Sequence, residues 1–371
     1  MSKFPIAKLE DWYRDNYFTT EIDISGSGVR DYTLGEARQM AGISVDELDT
    51  LLMEDSRTLG APGLRAAIAA RYPGARAEQV MVTNGSSEAI FNVMKALLSP
   101  GDELVVVDPY YHSYTSVARI IGCDVKPWVL RAEANFVPSL DDLEGLLSER
   151  TRMVIVNFPH NPTGASLSRV DQRRLVDMVA ARGAYLMWDA AFADLIYDDQ
   201  KLLDFHALYD RSITVNTFSK AYGLPGLRVG WALASPAVLE ECVRIRDFTV
   251  LFMSPLVELV AEKVLRRAEA FIAPRFEQAR RNLATLEAWL DAQRARVEYV
   301  APRGGVTVFA RFEGIADTNA FCAGLIAAHN VLLCPGSCFG RPERVRIGFG
   351  GAPQNLQTGL ERLSSYLAQT A

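Results

Sequence analysis

The sequence predicts an α/β fold built on a largely parallel β-sheet, followed by a smaller α+β domain. Three observations support this prediction. From about residue 60, helical patterns alternate with short apolar segments, which is typical of βα units. The apolar segments are rich in Val and Ile, as expected for strands buried on both faces. After about residue 240 the alternation stops, and a long charged helical segment precedes shorter strands.

The alternating part of the chain forms the predicted large domain, which we place at residues 46–240. The segments RAAIAARY and SEAIFNVMKALL carry apolar residues at helical spacing. The predicted strands are QVMVT, ELVVVD, MVIVNF, YLMWDA, ITVNTF and VGWALA, in chain order. Most of the segments between them are long enough for a helix, so parallel pairing is expected.

The smaller predicted domain combines residues 1–45 with residues 241–371. One long helix over AEKVLRRAEAFIAPRFEQARRNLATLEAWLDAQ is expected to lead to strands in GVTVFARF, VLLCPG and RVRIGF. Residues 6–18 carry apolar side chains at helical spacing: Ile6, Leu9, Trp12, Tyr13 and Tyr17. This pattern predicts an amphipathic helix over the active site, although a surface helix with a solvated acidic face is the alternative.

Composition and charge favour a cytoplasmic protein with a small-molecule partner. The chain has 371 residues, of which 49% are hydrophobic, and its net charge of −6 argues against nucleic acid or an anionic membrane as partner. No segment has the length of a signal peptide core or a membrane span. The five cysteines form no CxxC pair, which predicts reduced thiols and no metal site.

Polar residues follow the ends of several predicted strands, where ligands collect in open α/β sheets. In VTNGSSEAIF, a strand leads into Gly85, Ser86 and Ser87 at a predicted helix start. Free N–H groups and two hydroxyls there suit a phosphate, although an ordinary serine N-cap is the alternative. In DPYYHSY, Tyr111 could lie flat against a planar ligand or pack in the core.

Two further motifs present an amide and a buried carboxylate. NFPHNPTG is a rigid turn that presents Asn161, although a turn alone would explain its prolines and glycine. In WDAAFADL, Asp189 ends a buried apolar strand, where a charge is costly unless it is paired. A protonated ring nitrogen would pair with this carboxylate, and a helix N-cap is the alternative.

The motif TFSKAYGLPGLRVG adds a lysine and an arginine. Lys220 follows a strand end, where burial would lower its pKa and raise its nucleophilicity. Arg228 offers a bidentate fork for phosphate. Taken together, the motifs fit a phosphorylated aromatic aldehyde that is bound to Lys220, with Asp189 on its pyridine nitrogen.

The order of these motifs resembles the fold-type I enzymes of the aminotransferase superfamily, which use pyridoxal 5′-phosphate (PLP). The resemblance runs from about residue 20 to the end and rests on the GSS cradle, NPTG, D-x-A-F and SKxxGLxxLRxG. It implies PLP as the cofactor, a mostly parallel seven-stranded sheet and a homodimer. It also implies that Lys220 binds the cofactor and moves protons.

The same resemblance implies roles for the other motif residues. Asp189 would hold the pyridinium, Tyr111 would stack on the ring, and Asn161 would contact the ring 3′ oxygen. Arg346 in RVRIGF matches the arginine that binds the substrate α-carboxylate, with Arg344 as the weaker candidate. The residues matched to the phosphate site are Gly85, Ser86, Ser87, Thr217, Ser219 and Arg228.

Two positions depart from the family pattern. Phe192 stands where D-x-A-Y has a tyrosine that bonds the ring 3′ oxygen, so either the reaction differs from transamination or the change is tolerated. Asp55, five residues before Gly60 of GAPGLR, replaces a tyrosine that is usually lent across the dimer to the phosphate. Because a carboxylate repels phosphate, Asp55 is expected to face elsewhere or to meet a cation.

The N-terminal segment predicts a cationic amino acid as substrate. It is rich in acids, namely Glu10, Asp11, Asp15, Glu21, Asp23 and Asp31. Ser27 and Gly28 lie where the family's glycine loop passes over the substrate. The motifs DIS-x-SGV, PHNP-x-GA and SKAYGLPGLRVGW resemble PLP-dependent hydroxyarginine cyclases.

That resemblance implies a lyase/cyclase that dehydrates 3-hydroxyarginine or dihydroxyarginine. The enzyme would then close a guanidine ring of the capreomycidine or streptolidine type, in antibiotic biosynthesis. Asp23 is the first candidate to orient the guanidinium and take its proton, before Asp55 and Asp194. The alternatives are a PLP-dependent aminotransferase, a PLP-dependent arginine oxidase and a regulatory module with the same fold.

Overall fold

The computed structural model describes residues 5–197 and 201–369. The helices in these ranges are α1 Lys8–Asn16, α2 Leu34–Ala41, α3 Val45–Asp49, α4 Pro62–Ala69, α5 Gly85–Leu97, α6 His112–Ile121, α7 Leu140–Leu146, α8 Arg169–Ala181, α9 Pro236–Arg246, α10 Pro255–Leu265, α11 Ala268–Ala292, α12 Thr318–His329 and α13 Pro353–Gln369. The strands are β1 Ile22–Asp23, β2 Val80–Thr83, β3 Glu103–Asp108, β4 Asp124–Val129, β5 Thr151–Asn157, β6 Tyr185–Asp189, β7 Ser212–Thr217, β8 Gly230–Leu233, β9 Val297–Glu298, β10 Thr307–Phe312, β11 Val331–Leu332, β12 Cys334–Pro335 and β13 Arg344–Gly348.

A seven-stranded sheet forms the centre of the molecule, with strand order β2-β8-β7-β6-β5-β3-β4. Strands β3 to β7 pair in parallel, whereas β8 runs antiparallel to both of its neighbours. The inner strands are buried along nearly their whole length, which explains their continuous runs of Val, Ile and Leu. The predicted α/β fold with a mostly parallel seven-stranded sheet is therefore confirmed.

Six strands of this sheet coincide with the apolar segments of the sequence, but β4 does not. Its sequence, DVKPWV, is buried only at Trp128 and contains Pro127, so it lacks the continuous apolar run of an inner strand. Strand β4 pairs only with β3 and lies at the sheet edge, where a proline is tolerated because one side needs no partner.

A second, antiparallel sheet has the order β12-β13-β10-β9. Next to it, β1 pairs in parallel with β11, and this pairing joins the N-terminal segment to the C-terminal part of the chain. The predicted boundary between a large and a small domain stays a prediction. Residues 1–4 and 370–371 of the predicted smaller domain lie outside the described residues.

The long helix predicted over residues 261–293 is wrong in one respect, because the chain forms two helices there. Helix α10 ends at Leu265 and α11 begins at Ala268. Between them Arg267 leaves the helical conformation, with φ −127° and ψ 30°. Its guanidinium instead donates a 3.0 Å hydrogen bond to Met40 O at the end of α2. This long-range contact has no signal in the local helical pattern.

Candidate active site

A cavity of about 1170 Å³ lies beyond the C-terminal ends of β5, β6 and β7. Strand-end residues Asn157, Asp189 and Thr217 line one side, and Arg346 of β13 lines another. All the site residues predicted from the sequence except Gly85 line this cavity: Asp23, Ser27, Gly28, Ser86, Ser87, Tyr111, Asn161, Asp189, Thr217, Ser219, Lys220, Arg228 and Arg346. The tertiary structure thus brings together residues from seven separate sequence motifs.

Asp189 lies at the buried end of β6, and each of its two carboxylate oxygens accepts one hydrogen bond. Tyr114 OH donates to Oδ2 at 2.5 Å, and Ala191 N donates to Oδ1 at 3.0 Å. Burial raises the pKa of Asp189, and the hydrogen bond from Tyr114 opposes this shift. No Lys or Arg forms an ion pair with it within the described ranges. A carboxylate in this setting suits a cationic ring nitrogen.

The amine of Lys220 lies in the same cavity. Its Nζ donates a 3.0 Å hydrogen bond to Ser27 Oγ and lies 5.9 Å from the centroid of the Phe192 ring. The pKa of Lys220 is lowered to about 8, mainly because the amine is removed from water and further because Arg346 is close. At pH 7 roughly a tenth of such an amine is neutral, far more than for an ordinary lysine, so Lys220 can act as a nucleophile near neutral pH.

The start of α5 forms a cradle for an anion. The amides of Gly85, Ser86 and Ser87 open this helix and have no acceptor within it. Gly85 adopts φ +75°, and a Cβ there would lie 2.6 Å from Arg228 Nη2. Only glycine therefore lets the guanidinium pack against the helix start. Gly85 shapes the cradle rather than lining the cavity.

Two hydroxyls and the Arg228 guanidinium complete this cradle. Arg228 Nη1 donates to Ser219 Oγ at 3.2 Å, and Thr217 Oγ1 bonds Ser219 Oγ at 3.0 Å. No carboxylate in the described part of the chain pairs with Arg228. Amides at a helix start, hydroxyls and an unpaired guanidinium form a donor set that fits a phosphate.

Arg346 is 1% exposed, and each of its three nitrogens donates a hydrogen bond. Nε donates to Ser25 O at 3.1 Å, Nη1 to Asn161 Oδ1 at 3.0 Å and Nη2 to Tyr13 OH at 2.6 Å. None of these acceptors is a carboxylate, so among the residues described this buried cation has no counter-charge. Because an uncompensated buried cation is costly, the arrangement fits an external carboxylate.

Arg344 is unsuited to that role. Arg344 donates to Glu298 Oε1 at 2.8 Å and to Phe309 O at 3.1 Å. Since successive strand residues point to opposite faces, Arg344 and Arg346 share one face, but only Arg346 lines the cavity. The Glu298 partner already neutralises Arg344.

The segment from residue 22 to residue 28 presents polar side chains to the cavity. Its start is held by the pairing of β1 with β11, and Ile22 and Ile24 are buried in the core. Asp23 and Ser27 line the cavity together with Ile24, Gly26 and Gly28. Asp23 Oδ1 accepts hydrogen bonds from Ser25 N at 2.7 Å and from Ser25 Oγ at 2.6 Å.

Tyr111 and helix α1 close another side of the cavity. Tyr111 OH donates to Glu10 Oε1 at 3.3 Å, and burial, followed by the Glu10 charge, raises the pKa of the phenol. Its ring lies 4.4 Å from the His112 ring, centroid to centroid. Glu10, one of the acids of the N-terminal segment, also lines the cavity and adds a carboxylate to those of the predicted site residues.

The two other carboxylates named as candidates to orient the guanidinium do not line the cavity. Asp55 is exposed, and Asp194 pairs with Arg71 at 2.9 Å. Of the acids in the N-terminal segment, Glu10, Asp23 and Asp31 line the cavity, so the first candidate, Asp23, is in position to meet a substrate side chain. Phe192 is buried at the cavity wall, near Lys220.

Sequence reasoning missed two tyrosines of the site. Tyr114 donates a hydrogen bond to Asp189. It lies three residues after Tyr111, about one turn along α6, so the helical spacing within the YYHSY motif could have identified it. Tyr13 was selected only as part of an amphipathic pattern, yet its hydroxyl bonds Arg346. The 333 residues that separate these partners leave no local signal.

The chain matches the family model for aminotransferase class I and II over residues 52–363. The chain therefore belongs to this family of enzymes, and PLP is its cofactor. The donor set described above fits PLP, with an anion cradle at α5, a carboxylate at Asp189 and an amine at Lys220. The prediction of PLP from the sequence is confirmed.

Within the family, the chain is 46% identical to capreomycidine synthase of Streptomyces vinaceus, covering 99% of this chain and 95% of that one. It is 42% identical to the PLP-dependent cyclase OrfR, whose structure superposes with a TM-score of 0.95 over 100% of this chain and 99% of that one. It is also 29% identical to an arginine–pyruvate transaminase of Pseudomonas aeruginosa, covering 84% and 81% of the two chains.

None of the helices described in residues 5–197 and 201–369 is both long and apolar enough to span a lipid bilayer.

Proposed function

We propose that this enzyme is a PLP-dependent lyase/cyclase that dehydrates a hydroxylated L-arginine and closes a guanidine ring. The observation that carries this proposal is the cavity itself, where Lys220 and the unpaired Arg346 lie beside Asp23 and Glu10. Such a site suits an amino acid with a carboxylate at one end and a cation at the other. The likeness to capreomycidine synthase and to OrfR supports a cyclisation of the capreomycidine or streptolidine type, in antibiotic biosynthesis.

Two groups of residues hold the cofactor in this proposal. The cradle of Gly85, Ser86, Ser87, Thr217, Ser219 and Arg228 would hold the phosphate, because its amide and guanidinium donors would offset the phosphate charge. Tyr111, Asn161 and Asp189 would hold the ring, with the Asp189 carboxylate pairing with the ring nitrogen and Asn161 with the 3′ oxygen. Bound PLP supplies an electron sink that stabilises negative charge at the substrate Cα.

The chain's own residues carry the proton transfers. Arg346 binds the substrate α-carboxylate, because it is buried and lacks a counter-charge in the described chain. Lys220, whose pKa is lowered to about 8, removes the α-proton as a general base. The β-hydroxyl then leaves as water, and a guanidine nitrogen adds to Cβ and closes the ring. Lys220 finally returns a proton to Cα.

Guanidine is a poor nucleophile while it is protonated, so a carboxylate must orient it and take its proton. Asp23 carries this role in the proposal. Its Oδ1 is held by Ser25, whereas Oδ2 accepts no hydrogen bond within the described chain and lies next to Gly26 at the cavity wall. A carboxylate held through one oxygen keeps a defined direction and leaves the other oxygen for the substrate.

Mass spectrometry of products from arginine, 3-hydroxyarginine and dihydroxyarginine tests the proposal. We expect loss of one water from a hydroxylated substrate without addition of a keto acid, and with the cofactor unchanged after turnover. Conversion of the cofactor to its amine form with release of a 2-oxo acid would identify an aminotransferase instead. Oxygen consumption with unmodified arginine would identify an oxidase.

We also propose that the enzyme works as a homodimer in the cytoplasm. Two segments expose apolar side chains, namely Leu52 and Met53 in one and Phe248 and Leu251 in the other. An exposed apolar surface of this kind is typical of an interface. The five cysteines carry free thiols, which suits a reducing compartment.

A further inference from the structure

Ser27 places a hydroxyl directly on the amine of Lys220. Its Oγ lies 3.0 Å from Lys220 Nζ, and the Ser27 side chain is 7% exposed. Both residues line the cavity. Among the residues that the structure describes, Ser27 is the hydrogen-bond acceptor of this amine. A hydroxyl can accept one proton and donate another, so it can pass a proton onward.

The backbone holds this hydroxyl in place. Val29 N donates to Lys220 O at 3.3 Å, so the two segments lie side by side. A Cβ on Gly28 would lie 3.1 Å from Ser219 O, and the absence of that Cβ lets the segment approach Lys220. The contact between Ser27 and Lys220 is therefore fixed by main-chain packing rather than by side-chain rotamers alone.

Dehydration needs two proton transfers, one from Cα and one to the oxygen on Cβ. A proton leaves Cα, and another must reach the oxygen on Cβ, because hydroxide is a much poorer leaving group than water. The amine that takes the first proton must face Cα. A second group within hydrogen-bond reach of that amine is needed to extend the transfer to the oxygen on Cβ.

Building on the proposed function, we propose that Ser27 relays a proton from Lys220 to the departing β-hydroxyl. The neutral Lys220 amine takes the proton from Cα and becomes an ammonium. As the Cα=Cβ bond forms, the Cβ–O bond breaks and its electron pair leaves with the oxygen. That oxygen takes the proton of Ser27 Oγ, and Ser27 takes one from the Lys220 ammonium. Water is released and the amine is neutral again.

Two reactions of the holoenzyme separate the proton relay from the removal of the α-proton by Lys220. Exchange of the α-hydrogen of unmodified arginine in D2O needs only that removal, because unmodified arginine has no β-hydroxyl to lose. Water loss from 3-hydroxyarginine needs both steps. In Ser27→Ala we expect exchange to continue while water loss slows by about 10²–10⁴-fold, the range typical of a general acid. Ser27→Thr, which keeps a hydroxyl, should recover water loss.

Ser25→Ala is the matched control. Ser25 lies two residues away, but it contacts Tyr13 and Asp23 rather than Lys220. We expect this variant to weaken substrate binding in both reactions and to leave the ratio of water loss to exchange unchanged. An unchanged ratio in Ser27→Ala, whether both rates stay or both fall, would overturn the relay. A wild-type enzyme that exchanges the α-hydrogen but never loses water would instead overturn the proposed function.

The cofactor-free protein gives an independent readout. The pH dependence of Lys220 acylation, followed by peptide mass spectrometry, reports the pKa of this amine. Because Ser27 Oγ accepts a hydrogen bond from the ammonium, Ser27→Ala should destabilise the charged form and lower that pKa below about 8. The same profile in both proteins would contradict the contact on which the relay depends.

Discussion

At the scale of single residues, the site is defined by charges that lack an opposite charge within the described chain. Asp189 accepts two hydrogen bonds but pairs with no cation, and Arg346 donates three but pairs with no carboxylate. Burying such groups costs free energy that a bound partner recovers. These unmatched charges therefore indicate where the cofactor and the substrate bind.

Asp23→Asn tests the part of the site that is proposed to bind the substrate guanidinium. We expect the variant to bind PLP with an unchanged absorption spectrum, because Asp23 is remote from the phosphate cradle. Turnover of 3-hydroxyarginine should fall by about 10²–10⁴-fold, because the amide cannot take the guanidinium proton. Asp15→Asn is the control, since Asp15 is exposed on α1 and does not line the cavity. Full turnover in Asp23→Asn would exclude Asp23 as the base.

Acylation of Lys220 in the cofactor-free protein tests the perturbed amine. Only the neutral amine reacts, so the rate should rise with pH and level off above about 8 rather than near the ordinary value of 10.5. Burial lowers this pKa, Arg346 and Arg228 lower it further, and Glu10 and Asp189 oppose them. A midpoint near the ordinary value would mean that the amine is hydrated in solution.

At the scale of elements, helix α1 contributes directly to the site around Arg346 that we propose for the substrate carboxylate. Trp12 Nε1 donates to Leu333 O at 3.0 Å, and Cys338 Sγ lies 3.6 Å from Lys8 O, so the helix is held against the C-terminal part of the chain. From there Tyr13 OH reaches Arg346 and also bonds Ser25 O at 3.1 Å. The N-terminal segment is thus part of the cavity wall.

Tyr13→Phe is expected to raise KM for the amino acid by about 10- to 100-fold with a smaller change in kcat. The reason is that a hydrogen bond to a charged group contributes about 1.5–3 kcal/mol, and 1.4 kcal/mol corresponds to tenfold. Tyr17→Phe is the control, because Tyr17 lines the same cavity but is exposed. A lower KM in Tyr13→Phe would mean that the phenol occupies the place of the substrate carboxylate.

At the scale of the whole molecule, two segments far apart in sequence expose large apolar side chains, and we call these side chains the apolar surface. Leu52 is 68% exposed in one segment, and Phe248 is 91% exposed in the other. The buried Arg246, two residues before Phe248, donates from Nη1 to Thr58 O at 2.6 Å and to Val82 O at 2.5 Å. A monomer rarely leaves such side chains in water, so a second copy of the chain is the expected partner.

Light scattering after size-exclusion chromatography tests this expectation. The wild-type protein should have twice the chain mass of 41.0 kDa. Leu52→Asp combined with Phe248→Asp should shift the mass toward one chain, because two buried carboxylates would face each other across the interface. Val170→Asp is the control, since Val170 is exposed on α8, away from this surface. A wild-type monomer would exclude the dimer.

Much of the fold and of the cofactor site could be predicted from the sequence, because the information is local. Buried parallel strands need continuous apolar runs, and six of the seven strands in the large sheet have them. Asp189 ends one such run and Lys220 follows another, so their position at one edge of the sheet follows from the parallel pairing of β6 and β7. The amino-acid order alone determined the fold class, the family and the cofactor.

Other features were decided only by tertiary structure. The hydroxyl of Tyr13 reaches Arg346 across 333 residues, and Asp194 is withdrawn from the cavity by Arg71. Strand β4 depends on its position at the sheet edge, and the break before α11 depends on the bond from Arg267 to the distant carbonyl of Met40. Such contacts depend on how remote segments pack, and packing leaves no periodic or local trace in the chain. The sequence determined which chemical groups are present, and folding decided which of them meet.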